Sequence, residues 1–175
     1  MKKALLIASV LFIAVITTAC INNIAVQELN NKAAEFMQKG DYESAVNRLQ
    51  ASIDLDSSMY ETYYNLGIAA TNAEKYEVAI EALENGIKIK PDNADFYYSL
   101  AVAQAEWAEM LLEDEDKKAL EENKLKAEEL KKIATINATK YLEMKPNSDD
   151  KAEVEELIED LKKEYKEEQT KLLKG

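Results

Sequence analysis

Residues 63 to 91 impose the tightest condition on this chain: they must form two helices that touch at small residues. Tyr63, Leu66 and Gly67 fall on one side of a first helix. Ala79, Ile80, Leu83 and Ile87 fall on one side of a second. Gly67 and Ala79 let the two backbones approach, and the large side chains fill the space around that contact. Pro91 has no amide hydrogen and biases Lys90 away from helical angles, so the second helix ends there. Such a pair cannot bury its apolar face alone, and its neighbours must repeat it. They do: Tyr42 and Tyr76, and likewise Ala45 and Ala79, stand 34 residues apart.

The run Tyr63-x2-Leu66-Gly67, Ala79-x3-Leu83, Pro91 resembles one tetratricopeptide repeat along its whole length, and 34 residues is that repeat's period. The resemblance implies an all-α, right-handed solenoid of helical hairpins. Three repeats are expected, at about 26–59, 60–93 and 94–147, with a capping helix at about 149–170. The first repeat carries Leu29, Ala33 and Phe36, then the turn Lys39-Gly40-Asp41, then Tyr42, Ala45, Leu49 and Ile53. Glycine leaves one helix there and aspartate caps the next. Ser57 stands in the proline place and Lys32 in a leucine place, as suits a worn terminal copy.

The third repeat opens with Tyr97-x2-Leu100-Ala101 and closes with Ala134, Ala138, Tyr141, Leu142 and Pro146. Pro91 to Pro146 spans 55 residues where 34 are expected. The surplus falls between Gln104 and Lys131, a stretch without Gly or Pro, which predicts two lengthened helices. An even division adds about three turns to each, at ~3.6 residues per turn. Trp107, Met110 and Leu111 are expected to face Leu120, Ala127 and Leu130, with Trp107 largely buried. The turn is placed at Glu113-Asp114-Glu115-Asp116. These acids lack the spaced oxygens and glycine of a calcium loop, so no metal site is predicted. Asn147-Ser148-Asp149 caps a last helix whose stripe is Val154, Leu157, Ile158, Leu161 and Tyr165.

The N-terminus reads as a targeting signal. Lys2 and Lys3 precede an apolar run from Ala4 to Ile16, and Thr17-Thr18-Ala19 leads to Cys20, the only cysteine. This layout resembles a bacterial lipoprotein signal, with Thr17 where that family usually has leucine. The resemblance implies cleavage after residue 19, a lipid on Cys20 and a domain over 20–175. The location implied is the bacterial cell envelope, facing periplasm or exterior. An uncleaved anchor is the alternative, but the apolar run is shorter than the ~18–20 residues a spanning helix needs.

Loss of residues 1–19 leaves 20 basic and 34 acidic residues, a net charge of −14. Such a chain repels nucleic acid and bare anionic lipid. Without histidine, and with its one cysteine given to lipid, it has no Cys/His or Ser–His catalysis and few routes to zinc. No enzyme activity and no cofactor are expected. One cysteine also allows no intramolecular disulfide.

In repeats of this resemblance the first helices line a concave groove. The resemblance places Met37, Glu61, Tyr64, Ile68, Asp95, Tyr98, Val102 and Glu106 there. Tyr64 and Tyr98 lie one repeat apart. They either floor the groove with Ile68, Val102 and Met37, or pack against neighbouring helices. Glu61, Asp95 and Glu106 form an acidic rim suited to a neutral or basic protein or peptide. Chaperone-binding repeats of this type grip a carboxylate with lysines, an arginine and asparagines. Asn65 matches one such position, but Asn30, Ala34, Asp95 and Ser99 hold the others, with no base among them. The expected function is therefore a lipid-anchored interaction or assembly module at the membrane surface. The alternative is an accessory subunit of an envelope transport system with a hydrophobic ligand pocket.

The signal layout generates the first test. Cys20→Ser should leave the protein unprocessed or release it from the membrane fraction. Parent-like fractionation and mobility of the variant would count against lipidation.

Overall fold

The computed structural model describes residues 23–113 and 117–172, with side chains described except at 117–122 and 164–172. Cys20 and the rest of the N-terminal signal, Asp114 to Asp116, and the side chains of Leu120 and Tyr165 therefore lie outside the described residues. Every regular element among the described residues is a helix. α1 covers 23–38. There follow α2 (Tyr42–Leu55), α3 (Tyr60–Asn72), α4 (Tyr76–Ile89), α5 (Ala94–Leu112), α6 (Lys117–Met144) and α7 (Lys151–Leu172). Consecutive helices pack as hairpins, giving the helical-hairpin solenoid expected.

Local chemistry sets the turns. The Asp41 carboxylate accepts from the Ser44 amide at 3.1 Å and caps α2. The Asn93 side chain accepts from the Asp95 amide and caps α5. Gly40 leaves α1 with φ +74°, and the Asp41 amide bonds back to the Phe36 carbonyl. One period later Glu74 does the same job with φ +57°, and the Lys75 amide bonds to the Ala70 carbonyl. The second hairpin thus repeats the left-handed turn with a residue that has a Cβ, a conformation that costs about 1–2 kcal/mol for an L-residue.

The core runs continuously through the first five helices. Ala33, Leu49, Leu66, Ala79, Leu83 and Phe96 are buried within it. The two small-residue contacts set its spacing. A Cβ on Gly67 would overlap the Leu83 side chain, and one on Gly86 would overlap the Phe96 ring. Gly67 closes a hairpin, whereas Gly86 closes the joint between the second repeat and the third. A second cluster joins α5, α6 and α7 through Ala101, Ala138, Tyr141, Val154 and Leu161, with Leu157 and Ile158 against it. The last helix thus caps the array.

The extended third hairpin departs from expectation in three respects. Its lengthening is uneven: α5 has 19 residues against 13 in α3, whereas α6 has 28 against 14 in α4. The longer arm finds support outside its own hairpin. Ile80 of α4 packs with Trp107, Ala108, Ala127 and Leu130, and Lys126 stands 3.8 Å from Glu77. Trp107 is half-buried rather than largely buried, and Lys126 Nζ lies 3.8 Å from its ring centre. Met110 is 41% exposed and faces away from the seam.

Gly86→Ala should destabilise the fold despite alanine's better helix propensity, worth about 1 kcal/mol. Phe96 is fully buried and has no free volume to retreat into, so overpacking should cost about 1–3 kcal/mol. Urea titration of Gly86→Ala, Phe96→Leu and the double variant checks the contact. The double variant should lose less than the two single losses combined.

Candidate functional site

The first helices α1, α3 and α5 carry the positions read as the groove, and the structure divides them into two groups. Glu61 is exposed, and Met37, Ile68 and Val102 are half-buried. These side chains keep a free edge on the inner face. Tyr64 is committed further inward. Its ring meets Phe96 edge-on at 5.3 Å, and Tyr60 approaches the same ring at 6.4 Å. Asn30, from the same face of α1, turns into the α2 contact and donates to Ser52 Oγ at 2.7 Å.

Tyr98 and Asp95 belong to a polar lock between α5, α6 and α7. The Tyr98 ring lies 5.3 Å from the Tyr141 ring, and its hydroxyl donates to Glu153 Oε1 at 3.0 Å. Burial, and then the bond to the Glu153 carboxylate, push the Tyr98 phenol up to about 12. The Tyr141 hydroxyl donates to Asp150 at 2.7 Å. Burial, reinforced by that bond, raises the Tyr141 phenol, and the same bond holds the Asp150 carboxyl below its usual range. Lys145 donates to Asp95, and this pairing raises the lysine. Asp95 is thus answered by a lysine and is not a free member of the acidic rim.

Glu106 lies eleven residues along α5 from Asp95, about 16 Å at ~1.5 Å per residue. Partial desolvation raises its carboxyl, with Glu109 and Glu74 adding to the effect. The nearby Tyr76 phenol is raised by burial and then by Glu106, Glu74 and other acids. Acids therefore reinforce one another at this end of α5, whereas Asp95 at the other end is paired with Lys145. The partners Lys145, Asp150 and Glu153 escaped the sequence reading. The meeting of Lys145 with Asp95, 50 residues away, depends on how α6 returns along α5.

On the outer face, α2, α3 and α4 border an open cleft of ≈ 220 Å³. Among the described residues no group of three or more His, Cys, Asp or Glu is placed to hold a metal ion. No helix among them is long and apolar enough to cross a membrane.

Comparison with known proteins finds the family model described as TPR repeat at residues 33–70 and 71–106. Each window begins partway through a hairpin, so its phase differs from repeats counted from their first helices. The chain is 29% identical over 75 residues to the small glutamine-rich tetratricopeptide repeat-containing protein 2 of Mycosarcoma maydis. That match covers 43% of this chain and about a fifth (21%) of the relative's length. Among solved structures, the Arabidopsis OM64 TPR domain superposes with a TM-score of 0.63 at 16% identity, covering 81% of this chain and 98% of that one. The first TPR of Spaghetti (RPAP3), bound to the HSP90 peptide SRMEEVD, gives a TM-score of 0.59 at 16% identity, covering 79% and 90%. At these identities the likeness is one of fold.

The lock predicts an alkaline signature. Tyr98 is raised above the ordinary phenol pKa of about 10, so its contribution to stability is complete below pH 10 and is lost as pH climbs towards 12. Ultraviolet titration of Tyr98→Phe should show one fewer phenol ionising near 12 and an unchanged number near 10. The variant should also lose less of its stability than the parent between pH 10 and 12.

Proposed function

We propose, from the premise that residues 33–106 carry tetratricopeptide repeats, that this chain is a lipid-anchored module that docks or assembles proteins at a bacterial envelope. Tetratricopeptide repeats serve protein–protein interaction, and the carrying observation here is the inner face. Met37, Glu61, Ile68 and Val102 keep solvent-facing edges in series on three consecutive first helices, backed by a rigid aromatic joint at Phe96. An apolar strip with a charged margin suits a peptide or a flat protein surface. Glu61 has no ion-pair partner among the described residues, and the whole chain is strongly acidic, so the partner is neutral or basic.

The peptide in the RPAP3 complex, SRMEEVD, is acidic. An equivalent ligand is disfavoured here. Asn30 is spent on Ser52, Asp95 on Lys145, and Ser99 is buried. Lipid on Cys20 would leave no more than about 11 Å of chain before α1, at ~3.3–3.6 Å per residue. The repeats would then lie against the membrane, and partners would be membrane proteins or would come to its surface. The outer cleft is smaller than the ~300–1,000 Å³ of typical small-molecule sites, so it lends no support to a hydrophobic-ligand subunit. No catalytic role is proposed.

A photoreactive residue at Glu61 on the inner face should capture a discrete envelope protein in living cells. The same residue at Glu159 on the capping helix should not. Identical products from both faces, or none from the inner one, would overturn this reading.

A further inference from the structure

We propose that the outer face of the first two repeats is a second docking site, which seats an arginine side chain of a protein partner. This inference rests neither on the inner groove nor on the lipid. The site is the cleft between α2, α3 and α4. Ile53 and Val78 contribute apolar wall, Tyr63 lies along one side, and Gln50, Asp54 and Glu81 stand at its border. Asp54 and Glu81 come from different helices of successive repeats, and both line the cleft.

Charge complementarity identifies the occupant. Four acids elsewhere on this chain are matched by its own lysines: Glu43 by Lys75, Glu77 by Lys126, Asp92 by Lys90 and Asp95 by Lys145. Asp54 and Glu81 have no such partner among the described residues. The nearest lysine on α4 is already engaged, because Lys88 Nζ donates to Asn85 Oδ1 at 2.9 Å at the same border. The Tyr63 hydroxyl and the Gln50 carboxamide are likewise without a bond among the described residues. Two carboxylates beside apolar wall call for a side chain with a methylene stem and a cationic head.

Geometry favours arginine over lysine. A guanidinium presents five N–H donors in a planar fork and can serve acceptors on two helices at once, whereas an ammonium is a compact point charge. It also stacks on an aromatic ring such as that of Tyr63. A cleft of ≈ 220 Å³ suits one long side chain better than a whole small-molecule ligand.

The test uses the full chain, 15N-labelled and held in neutral detergent, titrated with N-acetyl-arginine methylamide at low ionic strength. Amide shifts should gather at Ile53, Asp54, Tyr63 and Glu81 and saturate in the millimolar range. The citrulline analogue, equal in shape but uncharged, should bind at least about fivefold more weakly. So should the parent ligand on the isosteric variant Asp54→Asn/Glu81→Gln. Gln50→Lys, which sets a competing cation at the border without disturbing the core, should weaken binding as much, and it stands in if the double variant fails to fold. Equal binding of citrulline, undiminished binding by the folded variants, or shifts centred on Glu61 would each overturn the proposal. An inner groove that fails in cells leaves this result untouched, and the reverse holds as well.

Discussion

The joint between the second and third repeats depends on one contact, Phe96 seated over Gly86. Phe96 is fully buried where α3, α4 and α5 meet, and the missing Cβ at Gly86 makes room for its ring. Tyr60 and Tyr64 close on it edge-first. Burying a phenylalanine contributes about 1.5–3 kcal/mol, and each aromatic pair adds about 0.5–1.5. A hairpin that cannot cover its own apolar face is thereby tied to the next one. Tyr64 serves this joint with its ring while standing at a groove position, so the inner face and the core share a residue.

A different kind of bond holds the far end. Asp95–Lys145, Tyr98–Glu153 and Tyr141–Asp150 run in sequence across α5, α6 and α7. The exposed Asp95–Lys145 ion pair is worth at most about 1 kcal/mol, so its effect is more on geometry than on stability. The energy comes from Val154 and Leu161 buried beneath them. The polar groups set how α7 lies, and α7 in turn covers Tyr98. The inner face is therefore more open at α1 and α3 than at α5.

Charge is distributed just as unevenly. Lysines neutralise the acids along the edges of the helices and at the start of α5, whereas the end of α5 near Tyr76 and the outer cleft keep unbalanced carboxylates. On the two proposals above, basic partners would have two separate approaches, one at the inner face and one at the outer cleft.

Much of the fold was legible because it rests on short-range rules. The helix ends at Gly40, Asp41 and Pro91, the 34-residue spacing, and the small residues Gly67 and Ala79 are local signals that act within a turn or a hairpin. The capping stripe of α7 was visible for the same reason, since amphipathic period alone betrays a helix that needs a neighbour. The fate of individual side chains was not legible. The resemblance put Tyr98 and Asp95 on the inner face, but only the path of α6 brings Lys145 to Asp95, and only the docking of α7 brings Glu153 to Tyr98. The unequal arms of the third hairpin were likewise decided by Ile80 and Glu77 of the preceding hairpin. Sequence by itself determined which segments are helical and which must pair, because those follow from backbone capping and apolar period. Tertiary structure alone decided which side chains remain free to bind, because exposure depends on neighbours as many as 50 or more residues away in the chain.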